Sequence, residues 1–347
     1  MPYILNPNVS WIRQDYDALR TTVIVSHPSK PLPDQPQKSY SDIFTPHWEA
    51  FCKALRATGA NVVECEPEVE SARRVFTRDP VVKLGNKIFC GRFTYPHMSE
   101  NMYPQGKAAA EKHFKGEQRS LLRAMRRHKK PTQQQEVVWL DQHLHGGNVI
   151  VDHHAKRVYL GFTAEENNRL DLHTRKKIDD IRKHTSYQVV SIAVDNTTDY
   201  YHLDTFFGLD EKTGQAYLYP QATDSTSYRV LKMMLGNKLH TISEDEAANM
   251  STNFICVGRY IILTNDDPEF EERLAKHRPP ETIITPGKCG VDSFQLHNGG
   301  VRCASNILHE PERHHIMTEK KFLSRSQMLQ ELFEHNERAN SSLKCNG

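Results

Sequence analysis

Four times along this chain two short apolar runs flank a turn, and a stretch of different periodicity follows; that rhythm limits the fold more than any other feature of the sequence. The clearest pair is 81–84 and 87–90, separated by Gly85-Asn86, a dipeptide suited to a tight hairpin. A second pair is 148–151 with 157–161, and a third is 254–257 with 260–263 about Gly258-Arg259. The fourth joins 202–209 to 215–219. Near the start, 21–25 reads as a strand, and a helical pattern follows over 46–58 with Trp48, Phe51 and Leu55 on one face. Gly59 ends that helix and 61–65 reads as the next strand. Hairpin, helix and strand in repetition imply an α/β fold with internal pseudo-symmetry about a centre. An irregular α+β domain in which hairpins are simply common is the alternative.

Two segments stand outside the rhythm. Residues 107–130 are helix-permissive and end in the basic run 123–130, followed by the polar break 131–135. A nucleic-acid or nuclear-import role is one meaning of that run; a solvated helix face is the expected one. Beyond Pro311, Phe322, Leu329, Leu332 and Phe333 fall near helical spacing, so residues 311–347 are expected to form a helical tail packed on a catalytic domain spanning 1–310.

With 347 residues the chain can bury a substantial core, and a net charge of +2 gives no reason to expect a nucleic-acid or membrane partner. A small-molecule ligand fits better. The 7 cysteines are odd in number and include no CxxC pair, so they are read as reduced thiols. The proline-broken start lacks the basic and apolar regions of a signal peptide, and no stretch is long enough to cross a bilayer, so a cytoplasmic location is expected. The sequence leaves the oligomeric state open, a homodimer included.

The chemistry-bearing residues fall in turns. Phe76-Thr77-Arg78-Asp79-Pro80, His202-Leu203-Asp204-Thr205 and Gly299-Gly300-Val301-Arg302-Cys303 occur in that order. A thiolate is a nucleophile strong enough to attack a carbon whose charge is spread over three nitrogens, and Cys303 follows a Gly-Gly pair that lets backbone approach a ligand closely. Its ordinary pKa leaves it mostly protonated at neutral pH, so a cation must assist: His202, Arg302 or the bound substrate. His202 and Asp204 are two apart, which on a strand puts both on one face. Imidazole suits the proton traffic of a departing amine and an incoming water. Asp79 and Asp204 would accept paired hydrogen bonds from a planar guanidinium, and Arg302 would hold a substrate carboxylate or shape the field near the thiol. The bland alternatives are a buried structural cysteine, a structural histidine, and an Asp79 that merely makes the turn before Pro80.

These three segments, with Leu144-His145-Gly146-Gly147-Asn148-Val149 between the first two, resemble the signature segments of the guanidino-group modifying enzymes: arginine deiminases, dimethylarginine dimethylaminohydrolases and amidinotransferases. The resemblance implies a five-fold pseudo-symmetric α/β propeller, the pentein fold, built of ββαβ-type units about a central channel. It also implies a cofactor-free hydrolase working through a covalent amidino-thioether on Cys303 with His202 as proton shuttle. Asp79, Asp204, Arg302, His145 and Asn148 would be the substrate-binding positions. An amine in place of water would make the same site an amidinotransferase.

The chain departs from the pattern at two places. The family's acid before the paired small residues is His145 here, and the Asp after them is Asn148; Asp141 or Asp152 would have to compensate. After 160–161 the deiminases carry an Arg-Thr pair where this chain reads Phe162-Thr163-Ala164, so the substrate is expected to differ from free arginine. The lost acid also admits a catalytically silent binding protein, and a metal site from His143, His145, His153, His154 and His202 is a further option. The expected site nevertheless holds neither metal nor cofactor.

Overall fold

The computed structural model describes residues 21–27, 40–66, 75–92, 107–128, 135–163, 170–194, 200–285 and 299–307. Within them lie five sheets, each of three strands. β3 (Val82–Leu84), β4 (Lys87–Arg92) and β5 (Glu136–His143) form one; β6 (Val149–Asp152), β7 (Arg157–Thr163) and β8 (Gln188–Val194) form the next. β9 (Phe207–Leu209), β10 (Ala216–Leu218) and β11 (Leu239–Thr241) follow, then β12 (Ile255–Val257), β13 (Tyr260–Ile262) and β14 (Ile283–Ile284). In each sheet the first two strands pair antiparallel and the third pairs parallel with the second.

Geometry dictates that order. A hairpin needs only a tight turn, and Gly85 and Gly258 provide it at φ +59° and +57°, in the left-handed region that suits glycine. A parallel third strand needs a long crossover, which a helix supplies. α2 (Lys107–His128), α3 (Leu172–His184), α4 (Ser225–Leu235) and α6 (Pro268–Ala275) are those crossovers, while the short α5 (Glu244–Ala248) lies between sheets. Asp171, Asp224 and Asp267 start α3, α4 and α6, each accepting a hydrogen bond from the amide three residues on.

The fifth sheet is split between the chain's two ends. β1 (Thr22–Val25) pairs parallel with β2 (Asn61–Glu64) across α1 (Tyr40–Ala57), and antiparallel with β15 (Asn306–Ile307). β15 therefore takes the place that the first hairpin strand has in the other four sheets. The expected first helix begins at Tyr40, upstream of Pro46, because an internal proline removes one helical hydrogen bond while burial of Trp48, Phe51, Cys52 and Leu55 holds the face in place. Gly59, at φ +95°, follows that helix as expected.

Side chains of β7, β10 and β13 fill the interior, with Tyr159, Tyr217 and Tyr260 almost wholly buried. α2 is not an appendage. Ala110, Phe114, Leu121, Leu122 and Met125 bury one face, and Arg123, Arg126 and Arg127 occupy the solvated one. The expected tail over 311–347 lies outside the described residues. Among the described residues no helix is long and apolar enough to cross a membrane. The five described cysteines, Cys52, Cys65, Cys90, Cys256 and Cys303, carry free thiols.

Candidate active site

The four motif segments and one more immediately precede the first strands of the five sheets, and hydrogen bonds link them in a closed circuit. Arg78 in the 77–80 turn donates from Nη2 to the Val149 carbonyl at 2.9 Å, and Gly146 N–H donates to the Asp79 carbonyl. Leu203 N–H donates to Asn148 Oδ1 at 3.0 Å, tying 145–149 to the 202–205 turn. Asn253 Nδ2 donates to the Asp204 carbonyl at 3.2 Å, and Asn253 Oδ1 accepts from the backbone N–H of Arg302 and Cys303. Arg78 N–H closes the loop on the Cys303 carbonyl at 3.0 Å. Each link is buried or partly buried, so breaking one leaves a polar group desolvated without a partner, a cost of about 1–3 kcal/mol.

Supports from outside hold the Asp79 turn. Asn306 Nδ2 donates to the carbonyls of Thr77 and Val81, both at 3.1 Å, and Gln118 Nε2 reaches from α2 to the Pro80 carbonyl. The helix that looked additional in sequence thus braces the site, and its Phe114 ring lies 5.8 Å from that of His145.

Cys303 is 5% exposed, with Sγ 3.2 Å from Asn253 Nδ2 and 3.8 Å from Asp204 Oδ2. Burial, then the carboxylates of Asp204 and Asp79, push its thiol well above the ordinary range, while Gly300 and Asn253 hydrogen bonds work the other way. The resting sulfur is therefore a thiol. Asp204 is wholly buried, and its Oδ1 has no hydrogen-bond partner among the described residues. Burial raises its pKa, and the nearby charges of His202 and Arg302 oppose the rise.

Facing this pair are imidazoles. His145 Nδ1 and His202 Nε2 share a hydrogen bond at 3.2 Å, and His202 Nδ1 lies 3.9 Å from Asp79 Oδ1, which itself accepts from Gly147 N–H at 3.0 Å. Gly147 must be glycine: a Cβ there would stand 2.4 Å from His202 Nδ1 and 3.2 Å from Asp204 Oδ1. That one position touches both halves of the site.

The sequence-derived residues are thus distributed unevenly. Cys303, Asp204, His202, Asp79 and His145 come together. Asn148 does not reach toward the thiol; its amide oxygen is taken by Leu203 N–H and packed close to Gly161, so it positions the His202 turn. Arg302 is 6% exposed and lines a cavity of about 40 Å³ with Arg78, Lys83, Glu211, Ser305 and Asn306, a set that excludes Cys303 and His202. Asp141 is ion-paired with Arg92 at the surface and Asp152 caps the Ala155 amide, so neither replaces the missing acid. His153 bonds the Tyr187 hydroxyl. Asn253 was missed altogether. It lies in no motif, and only its position ahead of the β12–β13 hairpin, matching that of the other segments, could have marked it.

No protein-family model matches the sequence, and no curated protein matches it closely enough to count. Solved structures do match. The fold is similar to the N-terminal domain of ArgZ, an arginine dihydrolase from the ornithine–ammonia cycle in Cyanobacteria, with 20% identity over 84% of this chain and 99% of that one, TM-score 0.63. Unliganded AgrE matches with 20% identity over 85% of this chain and 40% of its own, TM-score 0.64. A dimethylarginine dimethylaminohydrolase in adduct with S-methyl-L-thiocitrulline matches with 17% identity over 82% of this chain and 98% of its own, TM-score 0.57. At these identities the likeness establishes the fold, a mixed α/β architecture of small sheets shared with enzymes that act on guanidino compounds.

Proposed function

We propose that the protein is a hydrolase of a guanidino C–N bond in a small cationic molecule. The observation that carries this reading is Asp204, a wholly buried carboxylate whose Oδ1 has no donor among the described residues and whose Oδ2 lies 3.8 Å from Cys303 Sγ. An unsatisfied buried anion is costly, and a planar cation offering N–H groups is the ligand that would satisfy it.

Asp204 and Asp79 orient the guanidinium. Its positive charge offsets the two carboxylates that hold the Cys303 proton in place, so substrate binding itself lowers the thiol's pKa. The thiolate attacks the central carbon, and His202 gives a proton to the departing nitrogen, which leaves as ammonia or an amine. The carbon is then bonded to sulfur as an amidino-thioether. Water adds next, His202 takes its proton, and the C–S bond breaks to return the thiolate and release a ureido product. Asn253 Nδ2, at 3.2 Å, donates to the sulfur while it is negative.

The circuit of five linked segments supports an arrangement in which the sheets ring a central channel, with a single catalytic domain over 1–310. Arg302 acts here through its charge on Asp204 rather than on a substrate carboxylate. A silent binding protein is the second reading, favoured by one observation: His145 supplies no negative charge where it meets His202. Ammonia release from a panel of arginine, methylated arginines, agmatine and simpler guanidines separates the two. Turnover of any of them that disappears in Cys303→Ser supports the hydrolase; tight binding with no ammonia from any compound refutes it.

A further inference from the structure

Asp79, His145 and His202 each offer one donor atom, all within 4.8 Å of one another. We propose that these three side chains form a binding site for a borderline-soft divalent metal ion, zinc being the best fit. The site stands independently of the Cys303 chemistry; only its effect on turnover rests on the hydrolase reading.

Four features favour it. First, the spacing fits. Ligands about 2.1 Å from a tetrahedral zinc are roughly 3.4 Å apart, and His145 Nδ1 and His202 Nε2 are already 3.2 Å apart. Asp79 Oδ1 lies 3.9 Å from the other ring nitrogen of His202, Nδ1, so joining the two imidazoles requires its carboxylate to turn, and the three donor atoms start within 4.8 Å of one another. Second, the donor chemistry fits: two imidazoles and one carboxylate leave a fourth position open, the arrangement of a three-ligand zinc site. Third, the ligands are held from behind. Gly147 N–H fixes Asp79 Oδ1, the His143 ring packs 3.9 Å from that of His145, and Phe114 covers the same imidazole. Both imidazoles are 6% exposed, so the ion would meet a largely dry pocket.

Fourth, the His145–His202 contact already brings two ring nitrogens together around one proton. Two neutral imidazoles at this distance share one proton, one ring donating its N–H to the other's lone pair. An ion replaces the shared proton and uses both lone pairs. Once ligated, His202 cannot carry a proton to or from substrate, and the ion's charge opposes a guanidinium beside Asp79. Metal and guanidino substrate would therefore compete for the same enzyme.

The test begins with chelator-stripped protein titrated with zinc by calorimetry, in parallel with cobalt(II) followed by its visible absorption. Wild type is expected to bind one more zinc than His145→Gln, with affinity for that site falling about 100-fold in the variant. Cobalt(II) should develop an intense tetrahedral-type band in wild type and in Cys303→Ser, and lose it in His145→Gln and Asp79→Asn. The side-chain amide oxygen that Asp79→Asn introduces would still accept from Gly147 N–H, so this second variant removes the ligand charge and spares the turn; circular dichroism and melting establish that both variants fold. Equal zinc stoichiometry and affinity in wild type and His145→Gln overturns the proposal, as does a cobalt spectrum unchanged by both substitutions. Absence of ammonia from every guanidino compound, with zinc uptake intact, would refute the hydrolase and leave the metal site standing.

Discussion

The two halves of the site solve opposite problems. On one side Cys303, Asp204 and Asn253 are buried and interlocked, with one amide serving a sulfur, a carbonyl and two backbone amides. On the other, Asp79 keeps 15% of its side chain exposed and His202 and His145 bond only through ring nitrogens that can exchange protons. The first half is preorganised and holds its nucleophile in reserve as a thiol. The second half is adjustable and handles protons. A rigid anionic side beside a softer basic one suits a reaction that captures a cation, bonds to it, and then shuttles protons twice.

Removing the nucleophile tests the contrast hardest. Cys303→Ser is expected to lower ammonia release by more than ~1000-fold, since a hydroxyl at this pKa cannot replace a thiolate, and His202→Ala should be nearly as severe. Either variant keeping most of its turnover would reverse the assignment of roles.

Gly147→Ala probes the position shared by both halves. Its methyl must displace the His202 ring, so a loss of ~100-fold in kcat/KM is expected from misplacement alone, with little change in melting temperature. If activity survives, the His202 geometry is not what limits the reaction.

Asn253→Ala attacks the interlocked half. It removes four hydrogen bonds and leaves two backbone amides and a carbonyl buried, so a stability loss of about 2–4 kcal/mol is expected by urea unfolding. A loss below ~1 kcal/mol would mean that the circuit is not cooperative.

Thiol reactivity gives a subtler measure. Because burial and the two carboxylates raise the Cys303 pKa, its alkylation by a small reagent in the absence of substrate should be slow at neutral pH and still rising at pH 9. A plateau below pH 8 would show a resting thiolate and remove the need for substrate-assisted ionisation.

The smallest effect lies outside the site. Burial raises Cys52 and Cys90 from 9.0 to about 12, so below pH 9 both folded and unfolded chains keep these protons and no stability is lost. Between pH 9 and 12 the unfolded chain ionises and the folded one does not, so stability falls as pH rises, by on the order of 1 kcal/mol per unit for each group. Cys52→Ala should flatten that slope in unfolding measured from pH 8 to 11.

Local rules made the hairpins about Gly85 and Gly258 visible, along with the first helix and its Gly59 stop, because turn chemistry and apolar periodicity act within a few residues. Motif order likewise brought Cys303, His202, Asp204 and Asp79 into view. Asn253 escaped because an amide has no distinctive spacing until something folds against it. For Asn148 and Arg302 a motif names positions and not side-chain directions: Asn148 Oδ1 accepts from the Leu203 amide, and Arg302 lines a cavity together with Arg78. The chain therefore determined by itself which strands, turns and reactive groups exist. Only the tertiary fold decided that β15 completes the sheet begun by β1, that α2 braces the Asp79 turn, and which Asp204 oxygen has no donor among the described residues, since each depends on contacts between residues far apart in sequence that no local rule can specify.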